Sequence, residues 1–69
     1  MPLAMANTGE ENYIIKVGGK AETRKFLENL GFTPGCNVTV IAETGAGLIV
    51  RIKESRVALS MEMANKILV

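Results

Sequence analysis

The sequence predicts a mostly β domain with one main helix after the first strand and a short helical turn before the last strand. The chain has 69 residues, which is the size of a single domain. Apolar and polar residues alternate over 37–43 and again over 48–53, as they do in half-buried strands. One run, 21–30, instead has apolar residues at helical spacing and ends against a glycine. Together these three observations predict a small β structure that carries one helix.

The main helix is expected to span Ala21–Leu30. Its apolar side would carry Phe26, Leu27 and Leu30. Gly31 can adopt a left-handed conformation at no steric cost, and many helices end in this way. Phe32 would then fold back onto Leu27, the apolar contact that accompanies a Schellman end.

A tight turn is expected directly after the helix, at 33–36, where the sequence is Thr-Pro-Gly-Cys. Pro34 presets the negative φ of the second turn residue, and Gly35 supplies the positive φ of the third. The sequence therefore predicts a type II turn that leads into a strand over 37–43.

Four further strands are expected, at 11–17, 48–53, 55–59 and 67–69. In the first of them, one face would carry Tyr13, Ile15 and Val17, and the other Asn12, Ile14 and Lys16. Ile14 breaks the strict alternation, so both faces should be partly covered, as in a small barrel. Ser60 is a suitable N-cap for a single helical turn over 61–64.

These stretches resemble, in order and spacing, the FeoA family of small cytosolic proteins in bacterial ferrous-iron uptake. The matching positions are Pro2-Leu3, Met5, Gly9, Leu30-Gly31-Phe32, Pro34-Gly35, Val38-Thr39-Val40, Arg56, Ala58, Leu59, Ala64, Ile67 and Val69. No single motif is diagnostic, but the order and spacing together are specific and cover nearly the whole chain. The resemblance implies a single FeoA-like domain over 1–69, with the fold of an SH3-like small β-barrel.

Two departures from the family pattern bear on structure and contacts. The family usually has a glycine in the hairpin directly before the arginine that corresponds to Arg56, whereas this chain has Glu54-Ser55. Either Glu54 is therefore strained or the turn is of another type. The family also often has a basic residue directly before the first leucine of the helix. Phe26 stands there in this chain, and Arg24 and Lys25 come earlier.

The composition excludes several classes of function. The chain has no His and no Asp, so it cannot build a Ser-His-Asp or Cys-His constellation, and one Cys with several Glu is poor material for a four-ligand zinc site. A formal charge of +1 argues against strong binding to a phosphate backbone. The N-terminus lacks the features of a signal peptide, and no apolar run approaches the ~20 residues of a membrane span. A cytosolic protein without membrane insertion is expected.

Three candidate chemical groups have plainer interpretations. Cys36 lies at the end of the turn without a basic neighbour in sequence, so it is expected to pack as a small hydrophobe rather than to react or bind metal. Met61 and Met63 could form a soft binding surface, but their spacing predicts one in the core and one exposed. Glu10-Glu11 has no evident third ligand nearby and is interpreted as a solvated strand entrance, not an iron site.

Five basic residues could form a mildly basic side, and such charges are usually only a solvated surface. They are Arg24, Lys25, Arg51, Lys53 and Arg56. If one face is functional, we expect it where Arg51 and Arg56 lie on paired strands. The residues assigned to partner binding are Arg24, Lys25, Arg51, Arg56 and Met61.

The resemblance implies a non-enzymatic accessory of FeoB, the ferrous-iron permease of the membrane, which has a cytosolic GTP-binding domain. It would bind that partner at the inner face of the membrane and promote its assembly or adjust its GTPase cycle. No cofactor, metal or nucleic acid is expected in the domain itself. The spacing of Glu and Lys residues does not pair them as an acid and a base, so the sequence does not support a hydrolase or a metalloenzyme.

The alternative is a regulatory or nucleic-acid-binding module related to the C-terminal domain of iron-dependent repressors. Small barrels bind single strands by stacking bases on aromatic side chains. Here the aromatic residues are only Tyr13, Phe26 and Phe32, and at least two are expected to be buried. The charge near zero also weighs against this alternative.

Overall fold

The computed structural model describes all 69 residues. It contains six strands: β1 (Glu11–Tyr13), β2 (Lys16–Val17), β3 (Asn37–Thr44), β4 (Gly47–Ile52), β5 (Ser55–Ser60) and β6 (Ile67–Leu68). It also contains a 3-10 turn (Leu3–Met5) and two helices, α1 (Ala21–Asn29) and α2 (Met61–Ala64). The helix after the first strand segment and the helical turn before the last strand are therefore confirmed.

The strands form two antiparallel sheets around one apolar core. One sheet has four strands in the order β1-β3-β4-β5, and the other pairs β2 with β6. A bridge between Pro2 and Leu68 adds the N-terminal segment to the smaller sheet. The largest fully buried side chains come from almost every part of the chain: Phe32, Leu3, Leu27, Ile52, Ile67, Val38, Val40 and Val50. No polar or charged residue is buried, so burial of apolar side chains stabilises the fold.

The first predicted strand, 11–17, is in fact two strands, because the chain passes from one sheet to the other at Ile14 and Ile15. The Ile14 N–H donates to the carbonyl of Cys36 at 2.9 Å, beside β3. The Ile15 N–H donates to the carbonyl of Leu68 at 2.7 Å, in the smaller sheet. Because these two successive N–H groups bond to different sheets, the chain does not continue as one regular strand through Ile14 and Ile15.

The break also changes which side chains of this segment are buried. Ile14 and Val17 lie in the core, whereas Tyr13 is 62% exposed and Ile15 is 68% exposed. The prediction that Tyr13, Ile15 and Val17 share one face is therefore wrong. The expectation that both faces are partly covered is confirmed, because Ile14 and Val17 have opposite parity along the chain.

The end of α1 is the predicted Schellman motif. The Phe32 N–H donates to the carbonyl of Leu27 at 3.0 Å, and the Gly31 N–H donates to the carbonyl of Glu28 at 2.9 Å. Gly31 has φ +106°, which a residue with a β-carbon rarely adopts. Phe32 and Leu27 are both fully buried, so this helix end supplies two of the largest core side chains.

The predicted apolar side of α1 is only partly correct. Leu27 is buried, but Phe26 is 51% exposed and Leu30 is 37% exposed. Successive residues of a helix are turned by ~100°, so a helix that directs Leu27 into the core directs its neighbour to the rim. The short helix therefore rests on the barrel along a narrow line.

The predicted turn at 33–36 and the predicted N-cap at Ser60 are both confirmed. The Cys36 N–H donates to the carbonyl of Thr33 at 3.1 Å, and Gly35 has φ +89°, as in a type II turn. At the other end, the Ser60 Oγ accepts a hydrogen bond from the Met63 N–H at 3.1 Å and so caps α2.

The hairpin between β4 and β5 has a two-residue turn formed by Lys53 and Glu54, because Ile52 pairs with Ser55. The positive φ of this turn, +55°, falls on Lys53 and not on Glu54. A positive φ at the first turn residue alone is the pattern of a type II′ turn. The carbon stem of Lys53 lies over Gly31, and this packing helps to offset the strained backbone.

Candidate interaction surface

The solvent face of the larger sheet brings together the two arginines singled out in the sequence. Arg51 of β4 pairs directly with Arg56 of β5. Arg51 also pairs with Thr39 of β3, which in turn pairs with Glu11 of β1. Paired residues point to the same face, so the four side chains form one row across the sheet. We call Arg51 and Arg56 the arginine pair.

The arginine pair places two like charges next to each other on an exposed face. Directly opposite residues have β-carbons ~4.5–5.5 Å apart, and like charges at that distance are destabilising. Glu11 is two strands away from Arg51, about 9–10 Å at ordinary strand spacing, with Thr39 between them. None of the side-chain hydrogen bonds of the protein involves either guanidinium group. The charge of this pair is therefore available to an acidic group from another molecule.

An apolar groove of about 300 Å³ continues the same face. Ile49 and Ala58, which are paired across β4 and β5, line it, together with Gly47 and Ser60 at the far end. Ile49 lies two residues from Arg51 and Ala58 two residues from Arg56, so groove and arginines share one face. A ligand in the groove would have its charged part next to the arginine pair.

The other residues assigned to partner binding lie elsewhere or are less accessible. Arg24 and Lys25 are exposed on α1, which is a different element from the strands of the arginine pair. Met61 is half-buried against the core, and so is Met63. The prediction that one of these methionines is core and the other exposed is therefore wrong. Both methionines lie in the short helix α2 and pack against the edge of the core.

Cys36 packs against the core as the sequence predicted. It is half-buried, and its Sγ lies 3.0 Å from the Oγ1 of Thr33 within the type II turn. Glu10 and Glu11 are exposed, and the Glu10 carboxylate accepts a hydrogen bond from the side-chain amide of Asn7 at 3.3 Å. The chain holds no group of three or more Cys, Asp, Glu or His side chains placed to bind one metal ion.

Sequence reasoning found the arginine pair but not the groove. The pair follows from the tight connection after β4, because a two-residue turn at 53–54 places 51 opposite 56. The groove depends on small side chains meeting across two strands, at Gly47, Ala58 and Ser60. Small residues on an exposed face have no periodic signal of their own, although the same register would have paired Ile49 with Ala58.

A comparison with protein families gives a match over the whole chain. The model described as the FeoA domain matches residues 1–69. The chain belongs to the FeoA family. FeoA proteins are small accessory domains of ferrous iron transport and not a known class of enzyme. No curated protein sequence matches the chain.

Solved structures of FeoA proteins have the same fold. An iron uptake regulatory protein (FeoA) is 24% identical with a TM-score of 0.88, over 97% of this chain and 91% of that one. The FeoA of Stenotrophomonas maltophilia, solved with zinc, is 23% identical with a TM-score of 0.85, over 99% of this chain and 87% of that one. That protein is described as a procaryotic SH3 domain protein, so the predicted SH3-like fold is confirmed.

The same fold also occurs inside a transcriptional repressor. A manganese-dependent repressor has a TM-score of 0.88 and 16% identity, over 97% of this chain but only 39% of the repressor. At this identity the likeness concerns the fold alone.

Two further findings correct or complete the sequence interpretation. Neither helix has the length and apolar content needed to span a bilayer. Of the three aromatic residues only Phe32 is buried, so the expectation that at least two are buried is wrong. Tyr13 and Phe26 are exposed on separate elements, a strand and a helix.

Proposed function

We propose that this FeoA-family protein is a cytosolic, non-enzymatic accessory of ferrous iron uptake that acts by binding a protein partner. The partner proposed is the cytosolic GTPase domain of the FeoB permease, whose assembly or GTPase cycle it would adjust. The observation that carries the proposal is the arginine pair, which lies on an open sheet face without a counter-charge. Membership of the FeoA family supports the choice of this partner.

Two arginines directly opposite each other are expected to lower the stability of the free protein. An acidic partner surface that binds there would offset this repulsion. The adjoining groove offers apolar area at the centre of such a contact, and the arginines would form its charged rim. Arg24, Lys25 and Met61 remain proposed contributors. Because they lie on other elements, they would extend the contact rather than form its centre.

The test is an NMR titration of the isotope-labelled protein with the FeoB GTPase domain, with and without nucleotide. We expect shifts centred on Arg51, Arg56 and the groove, and a nucleotide-dependent pattern if the GTPase cycle is involved. Arg51→Glu combined with Arg56→Glu should abolish these shifts. Arg56→Glu alone should weaken binding, whereas Lys16→Glu, which makes the same two-unit charge change on the other sheet, should leave binding unchanged.

The absence of shifts with the GTPase domain and with the full-length permease would overturn the proposed partner. The alternative function is a regulatory or nucleic-acid-binding module, and its support is the structural likeness to the repressor. In that case a labelled oligonucleotide should bind at micromolar protein in a salt-sensitive way. We expect no such binding, because the formal charge of the whole chain is only +1.

A further inference from the structure

We propose that the free edge of β5 is a strand-addition site for an extended, acidic segment of a partner protein. The inference names a binding mode for the surface described above. It rests on the proposed function in one respect only, that the protein acts by binding another protein. It is carried by the unpaired main chain of β5, by the arginine pair and by the groove in line with it.

β5 is an edge strand, because the order of the sheet gives it only β4 as a neighbour. Ile52 and Ser55 flank the two-residue turn, so they are the hydrogen-bonded pair that closes such a turn. Hydrogen-bonded pairs alternate with non-hydrogen-bonded pairs in an antiparallel ladder. The ladder to β4 therefore uses the main-chain groups of Ser55, Val57 and Leu59. The main-chain N–H and C=O groups that point away from β4 belong to Arg56, Ala58 and Ser60.

The outward groups of Arg56 and Ala58 have no partner among the hydrogen bonds of turns, loops and caps. None of those main-chain or side-chain-to-main-chain bonds uses the N–H or C=O of either residue. The Ser60 C=O, by contrast, accepts the first hydrogen bond of α2, because Ser60 is the N-cap of that helix. Arg56 and Ala58 are exposed, and β5 packs against β4 and, past its end, against α2. An exposed row of alternating donors and acceptors is a template for one more strand.

The charge on this edge selects the occupant. If a second copy of the chain added its own β5, it would bring two further arginines to a sheet face that already holds two. A segment with carboxylates would instead give the arginine pair the counter-charge that it lacks within the protein. A nucleic acid would match the charge but not the alternating main-chain donors and acceptors.

The register specifies a pattern for the added segment. Residues opposite Arg56 and Ala58 would point to the solvent face of the sheet and would be two apart in the segment. An apolar residue opposite Ala58 would lie beside Ala58 at the groove, and a Glu or Asp opposite Arg56 would lie beside the Arg56 guanidinium group. In an antiparallel addition the apolar residue comes first, so the pattern is apolar, any residue, acidic.

The probe is an acetylated and amidated peptide, Gly-Ser-Thr-Ile-Thr-Glu-Thr-Gly, which has this pattern. One control peptide has the Glu replaced by Lys, and a second has the order of the residues reversed. At a probe concentration about ten times the measured Kd, we expect exchange of the Arg56 and Ala58 amide hydrogens to slow by about tenfold. The Val57 amide, already in the ladder, should change far less, and both control peptides should bind at least about tenfold more weakly.

Two variants test the charge and the main chain separately. Arg56→Glu should weaken binding of the probe at least about tenfold, whereas Lys16→Glu, with the same charge change on β2, should not. Ala58→Pro removes an N–H that points to solvent, which an edge strand tolerates, and should abolish binding while the thermal transition persists. If the proline variant does not fold, the binding of the probe to Arg56→Glu and the pattern of amide exchange still test whether the peptide adds to β5.

Four results would overturn the inference. The first three are no probe binding at millimolar concentration, equal binding of the three peptides, and shifts centred away from β5. The fourth is protection of Arg56 and Ala58 that rises with protein concentration alone, which would mean that a second copy occupies the edge. If the probe fails but the FeoB GTPase domain binds, the proposed function stands without this mode. If the probe binds and that domain does not, the mode stands and the proposed partner fails.

Discussion

A β-carbon built on Gly47 would lie 2.0 Å from the carbonyl oxygen of Leu59 and 3.0 Å from the α-carbon of Ser60. Both obstructing atoms belong to the backbone of β5, so no side-chain rotation can relieve the clash. Only glycine therefore fits at the start of β4 with this strand pairing. Gly47 also lines the far end of the groove.

Gly47→Ala should destabilise the protein, because the added methyl group would push β4 and β5 apart. We expect a loss of about 1–3 kcal/mol in the free energy of unfolding, the usual cost of overpacking. That loss is a large part of the ~3–5 kcal/mol that a core of this size supplies. Urea unfolding followed by circular dichroism measures it. Gly45→Ala is the matched control, since its β-carbon would meet nothing within 4 Å, and it should change stability by less than ~1 kcal/mol.

Phe32→Ala should unfold the domain or leave it close to unfolded in water. Phe32 is fully buried and follows the Schellman end of α1, and truncation of such a side chain costs about 3–5 kcal/mol. Phe26→Ala removes the same atoms from a side chain that is 51% exposed and should cost no more than ~1 kcal/mol. Thermal unfolding of the two variants measures the loss of stability that each substitution causes. Similar losses for both would mean that α1 packs through both aromatic rings.

Ser60→Ala should weaken the start of α2, because the Ser60 Oγ accepts the N–H of Met63 at 3.1 Å. Loss of such a cap costs about 0.5–2 kcal/mol. Ser55→Ala, at the other end of β5 and without a side-chain hydrogen bond, is the control and should change stability by less than ~0.5 kcal/mol. Faster exchange of the Met63 amide in the first variant alone would place the effect at the cap. An unchanged Met63 amide would contradict the assignment.

The elements that the sequence predicted correctly are those with local chemistry. Each of these signals acts within a few residues: a glycine by lacking a β-carbon, a proline through its ring and a serine through its hydroxyl oxygen. The Schellman end at Gly31, the type II turn at Pro34-Gly35 and the cap at Ser60 were therefore confirmed. The SH3-like fold was predicted from the order of these signals and their resemblance to a family.

The predictions were wrong where tertiary packing, and not local sequence, determines which side chains are buried and where a strand ends. Ile14 and Ile15 look like part of one strand, but two sheets compete for their N–H groups, and the strand breaks between them. Phe26 and Leu30 fit an apolar helical stripe, yet the narrow contact of α1 buries only Leu27. The candidate surface was predicted in part for the same reason. The register of the hairpin is local, whereas the groove depends on which small residues meet across strands.

Arg56→Glu should stabilise the free protein even though the same change should weaken partner binding. The substitution replaces a like-charged cross-strand pair with an opposite-charged one, opposite Arg51 on an open face. Such pairs differ by about 0.2–1 kcal/mol in low salt. Because both side chains are exposed, salt near 1 M, where the Debye length is ~3 Å, should remove most of the gain. Urea unfolding at low and high salt measures this. Lys16→Glu lies opposite Leu68, which carries no charge, and should show neither the gain nor the salt dependence. If Arg56→Glu were neutral in low salt, the two guanidinium groups would already be kept apart by solvent, and the stability cost proposed for this surface would not exist.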